Sequence, residues 1–77
     1  MHFISEQRLD DSVLERKFTL GKIPGILWTP ASASGGAPVP LILLGHPPLG
    51  LHKMYPRLLA RARHAAADGF ATATIEL

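Results

Sequence analysis

The sequence predicts an α/β fold built from a β-hairpin and one strand–helix–strand unit, and three observations carry it. Val13 to Thr29 holds two strand-like runs joined by Gly21-Lys22. An apolar run, Leu41-Ile-Leu-Leu44, stops at Gly45-His-Pro-Pro48, and its lack of alternation is the pattern of a strand buried on both faces. Beyond that loop the apolar spacing changes to a helical period until Gly69, and a further strand-like run closes the chain. Strand, crossover helix and strand in that order make a parallel pair.

Taken in order, residues 1–12 are polar and patternless and read as a loose lead-in to a single domain over 13–77. Val13 to Leu20 is rich in β-formers, and the charges of Glu15, Arg16 and Lys17 suit an exposed edge strand. After the turn, Ile23 to Thr29 returns as the second strand, with Pro24 confined to an edge or a bulge. Pro30 to Pro38 is a surface loop by composition. From Met54 a helix starts, with Pro56 in its first turn. Leu58, Leu59, Ala62, Ala65 and Ala66 share its apolar face, while Arg57, Arg61, His64 and Asp68 line the other. Gly69 caps it, and Phe70 to Leu77 is the next strand. Trp28 and Phe70 are expected in the core.

Composition removes several function classes. Without cysteine there is no disulfide and no thiolate metal site, so a reducing cytosol is permitted. Eight Lys and Arg against six Asp and Glu is a mild excess, and no basic run with interleaved aromatics points to nucleic acid. No stretch approaches the roughly 20 apolar residues of a membrane span, and the first dozen residues lack the apolar core of a secretory signal. The expectation is a cytoplasmic protein that contacts neither membrane nor nucleic acid. The chain stops on a strand with no turn after it, so it reads as one piece of a longer chain.

Gly45-His-Pro-Pro-Leu-Gly50 has the glycine spacing of a phosphate-binding loop and lies between strand and helix. The chemistry then fails: Leu51 and His52 stand where Lys and Ser or Thr belong, and Pro47 and Pro48 remove two cradling N–H groups.

The whole span, a hairpin, a strand ending Leu-Leu-Gly45-His46, a loop with Gly50 and His52-Lys53, a helix, then Gly69-Phe-Ala-Thr-Ala-Thr-Ile-Glu-Leu77, resembles the amino-terminal portion of an α/β-hydrolase. The resemblance covers nearly the entire chain and is greatest to the esterase and dienelactone-hydrolase-like branch. It implies a three-layer sandwich that is incomplete within these residues, cut before the nucleophile elbow. It implies hydrolysis of an ester or similar acyl bond in a small-molecule substrate, without cofactor or metal, by a nucleophile–His–acid triad outside this chain. These residues then supply the loop His46, Pro47, Pro48 and Leu49, one of whose backbone N–H groups stabilises the oxyanion. Where the family carries glycine after the histidine, this chain carries Pro47 and Pro48, which have no N–H to donate. With Pro48 at the donor position the loss in rate is about a hundredfold or more; in a loop one residue longer, Leu49 donates instead.

No catalytic residue is assigned within the chain, and whether it is an enzyme by itself stays open. No Gly-x-Ser-x-Gly is present, and Ser5, Ser12, Ser32 and Ser34 lie outside any nucleophile elbow. His46 reads as a loop brace, His64 as solvated and His2 as terminal. His46 and His52 lack a third metal ligand nearby. Lys53, Arg57 and Arg61 read as a solvated helix face, and Glu76 as an exposed strand end. In the family's sheet the nucleophile strand lies beside Leu41–Leu44, so its absence leaves a bare apolar edge. The expected partners are therefore a carboxyl-terminal remainder or a second copy. The reading from another class is a non-catalytic fragment that acts as a self-associating or partner-binding module.

Overall fold

A computed structural model describes residues 2–9, 13–31, 39–45 and 50–76. Their elements are β1 (His2–Leu9), β2 (Val13–Leu20), β3 (Ile23–Pro30), β4 (Leu41–Leu43), α1 (Leu51–Ala67) and β5 (Ala71–Ile75). The strands form one mixed sheet in the order β1-β2-β3-β5-β4. This is the expected α/β architecture, hairpin followed by βαβ. β4 and β5 run parallel, with Leu41 opposite Ala71 and Leu43 opposite Ala73, and α1 is the crossover between them.

The hairpin β2–β3 keeps the register set by its two-residue turn, from Leu20↔Ile23 to Val13↔Pro30. Gly21 supplies that turn with a φ of 61°, a conformation cheap only for glycine. Pro24 lies where β5 is about to end, and its carbonyl accepts the Glu76 N–H at 2.9 Å.

The register sorts side chains onto two faces. Val13, Ile26 and Trp28 meet Leu58 and Ala62 of α1 in the core, and Leu44, Leu51, Met54 and Tyr55 pack around it. The opposite face carries Phe18, Gly25, Leu27 and Ala73, and α1 does not cover it. There Phe3 meets Phe18 edge-on at 6.2 Å between ring centroids, and the Arg16 guanidinium sits 4.6 Å above the Phe3 ring. Phe18 is buried because its partner across the hairpin is Gly25, where a Cβ would come within 2.5 Å of the Phe18 ring.

Several expectations are corrected. The supposed lead-in is in large part β1, paired along β2 from His2↔Thr19 to Leu9↔Val13 with a bulge at Ile4. It is exposed on nearly every residue, so backbone pairing holds it without the apolar alternation that would reveal it in sequence. β2 is consequently an interior strand, and Glu15 is only 4% exposed.

The Leu41–Leu44 run is not buried on both faces. β4 is the sheet edge, with Leu41 55% and Leu43 74% exposed. Its apolar side chains are left open among the described residues. Helix α1 starts three residues earlier than Met54, which moves Pro56 to its sixth position, inside the helix. The earlier start is stabilised because Glu76 accepts the Leu51 N–H. At the other end Asp68 is the cap and Gly69, with φ 84°, follows it. Gly69 N–H donates to Ala66 and Phe70 N–H to Ala65, the paired closure of a Schellman motif. Phe70 is 38% exposed rather than core. The Pro30–Pro38 loop lies largely outside the described residues.

Candidate functional site

A parallel strand pair presents its loops at the carboxyl ends of the strands, where α/β sheets bind ligands. Here that rim is formed by Gly45 after β4, Glu76 after β5, and Gly50 with Leu51 at the start of α1. His46, Pro47, Pro48 and Leu49, the predicted oxyanion loop, lie outside the described residues.

The rim residues on either side of that segment are well connected. Leu44 N–H donates to Ala73 at 2.9 Å, which extends the β4–β5 ladder one step past the strand. Thr74, fully buried, directs its Oγ1 to the Gly45 carbonyl at 3.4 Å. Two residues on, the Glu76 carboxylate accepts the Leu51 N–H at 2.5 Å. Gly50 precedes the helix with φ 86°, and a Cβ there would lie 3.2 Å from Glu76 Oε2. A negative charge at this position also suits the helix dipole, whose amino end carries partial positive charge. Glu76 is therefore engaged at the rim rather than a solvated strand end.

A second polar cluster ties the sheet to α1 below the rim. Trp28 Nε1 donates to Glu15 Oε2 at 2.8 Å, and the Tyr55 hydroxyl donates to the same oxygen at 2.5 Å. Burial, then the hydrogen bond to Glu15 and its negative charge, push the Tyr55 pKa up to about 12, with Arg63 opposing them. The cluster borders a cleft of about 590 Å³ lined by Gln7, Lys17, Ile26, His52 and Tyr55 among others. Sequence reasoning missed the cluster because charged strand residues read as exposed. The signal was nonetheless present, since the two-residue turn at Gly21-Lys22 places Glu15 directly opposite Trp28.

The remaining candidates are not brought together. His52, Lys53, Arg57, Arg61 and His64 are exposed along α1, and His2 and Ser5 are exposed on β1. Ser12, Ser32 and Ser34 lie outside the described residues. Among the described residues no group of three or more His, Asp or Glu is placed to hold a metal. No described helix is long and apolar enough to cross a membrane.

No family model matches this chain, and no curated protein matches it. A solved structure does, the polyethylene-glycol-bound complex of a cold-adapted esterase from an Arctic intertidal metagenomic library. The TM-score is 0.71 with 26% identity, over 99% of this chain and 32% of that one. These residues form an esterase-like α/β region. The chain spans about a third of the length of the esterase it matches.

Proposed function

We propose that this chain is the amino-terminal segment of a hydrolase acting on ester or similar acyl bonds, of the dienelactone-hydrolase-like branch. The observation that supports it most is the structural likeness to the esterase over nearly the whole chain. In this reading the nucleophile, histidine and acid lie outside these residues, and residues 46–49 supply one oxyanion donor. A tetrahedral intermediate places negative charge on the former carbonyl oxygen, and a fixed backbone N–H close to it stabilises the transition state more than the ground state. Pro47 and Pro48 cannot serve, so the donor role falls to Leu49 or is lost. The substrate is a small-molecule ester, no cofactor or metal takes part, and the protein works in the cytoplasm, a placement checked by cell fractionation.

Labelling the gene's protein product with a fluorophosphonate serine probe, followed by peptide mass mapping, tests this reading. The expected adduct lies on a serine outside these 77 residues, together with turnover of a p-nitrophenyl ester. A product with neither adduct nor turnover overturns it.

One observation favours a second reading, a non-catalytic module that pairs with another chain. The β4 edge is unpaired among the described residues, and Leu41 and Leu43 stand open beside it. Flat apolar edges invite strand addition.

A further inference from the structure

Residues directly opposite each other in an antiparallel pair share a side of the sheet. Ile26 and Trp28 face α1 in the core, so Lys17 and Glu15, their partners on β2, face the same way. Gln7, opposite Glu15, continues that side onto β1. Helix α1 packs on β3 and β5. Between its first two turns and this part of the sheet lies the cleft of about 590 Å³. Small-molecule sites span about 300–1,000 Å³ and combine apolar walls with a few converging polar groups.

The polar groups of this cleft are sorted by sign. Lys17 and Glu15 are two residues apart on β2, about 7 Å along the strand. Tyr55, one turn into α1, bonds Glu15. Leu51, at the start of α1, is held by Glu76, whose own N–H is bonded to Pro24 at the far end of β3 from Trp28. The helix therefore runs from the Lys17 end of the cleft to the Glu15 end, and His52, beside Leu51, belongs with Lys17. At the other end the Glu15 carboxylate is 4% exposed and accepts Trp28 Nε1 at 2.8 Å and the Tyr55 hydroxyl at 2.5 Å. That end repels an anion. Glu76 does not line the cleft, so the Lys17–His52 end attracts one. Ile26 and Leu51 supply apolar wall between them.

We propose that this cleft binds a small organic carboxylate with an apolar body, its anionic head between Lys17 and His52 and its body against Ile26, Leu51 and Tyr55. The Lys17 ammonium donates a charge-assisted hydrogen bond to the head, and burial of the body supplies the hydrophobic share. Glu15 sets the orientation, because a reversed ligand would bring two carboxylates together. The site does not depend on ester hydrolysis, so it stands or falls apart from the function proposed above.

Isothermal titration calorimetry of the gene's full protein product with octanoate and with octanol tests the site, with thermal unfolding to show that each variant is folded. Octanoate is expected to bind about fivefold or more tightly than octanol, which has the same body without the charge. Lys17→Glu weakens octanoate by about tenfold. Arg61→Glu, the same charge change on an exposed α1 residue outside the cleft, alters it by less than about twofold. Gln7→Trp, which fills the cleft from an exposed β1 position, abolishes binding. If Lys17→Glu does not fold, Lys17→Gln replaces it, with an expected loss of about threefold. No binding of octanoate, or octanol binding as tightly as octanoate, overturns the proposal. So do equal effects of the Lys17 and Arg61 variants, or wild-type affinity in Gln7→Trp.

Discussion

Leu58 and Leu43 are the same residue in opposite circumstances. Leu58 on α1 is 7% exposed and lies in the core with Val13, Ile26 and Trp28; Leu43 on β4 is 74% exposed at the edge of the sheet. Burying a leucine side chain contributes about 1.5–3 kcal/mol, and only the first position gains it. The difference arises from topology. The crossover helix lies over β3 and β5, and β4, last in the sheet order, is paired with β5 alone among the described residues. Two regions of similar apolarity thus differ in their surroundings: one is packed into the core, and the other is an apolar edge left exposed among the described residues.

Changes on the covered side carry the largest expected effects. Trp28→Ala opens a large cavity and strips Glu15 of the Trp28 Nε1 donor, so it lowers unfolding free energy by about 3–5 kcal/mol. Denaturant titration measures this, and a loss below 1 kcal/mol would show that Trp28 does not organise the core.

Gly25→Ala comes next. The new Cβ would lie 2.5 Å from the Phe18 ring and 2.8 Å from the Thr74 carbonyl, which costs about 1–3 kcal/mol. The companion Phe18→Leu relieves the ring contact, so the double variant recovers part of the loss if the geometry is right.

Tyr55 gives a smaller, pH-dependent effect. An unfolded tyrosine ionises near pH 10, whereas in the fold burial and Glu15 push it up to about 12. The folded state therefore holds its phenolic proton longer. The stability this contributes is fully present below about pH 10 and is lost as pH rises through about 12. Tyr55 is the sole tyrosine, so alkaline difference absorbance reports it alone. A midpoint near 10 in the folded protein would break the Glu15–Tyr55 link.

On the open side the effect on folding is smallest. Leu43→Lys changes the stability of the isolated fold by less than about 0.5 kcal/mol, yet it reduces self-association measured by sedimentation, because charge blunts an edge strand. A large loss of stability with no change in association would mean that β4 is covered after all.

The sequence made the hairpin, the crossover helix and the parallel pair legible, because each has its own period or turn. It hid β1, since His2 to Leu9 is exposed along most of its length and lacks a two-residue apolar pattern. It misjudged β4 for the converse reason: an apolar run signals a demand for burial, not whether the covering elements are present. The buried Glu15 was misread because its partners lie 13 and 40 residues away, and only the hairpin register exposes the first. At the candidate site the Gly45–Gly50 connection was placed correctly between strand and helix. Its anchors were not seen, because Thr74 on β5 and Glu76 just after it follow the connection by more than twenty residues.

The comparison of the two regions is tested most directly by the concentration dependence of thermal unfolding of the 77-residue chain. With β4 and the outer sheet face in need of a neighbour, the midpoint rises with protein concentration as copies associate, and the dilute chain loses its cooperative transition. A sharp transition of a monomer, unchanged over a wide range of concentration, would contradict this account and make the open edge self-sufficient.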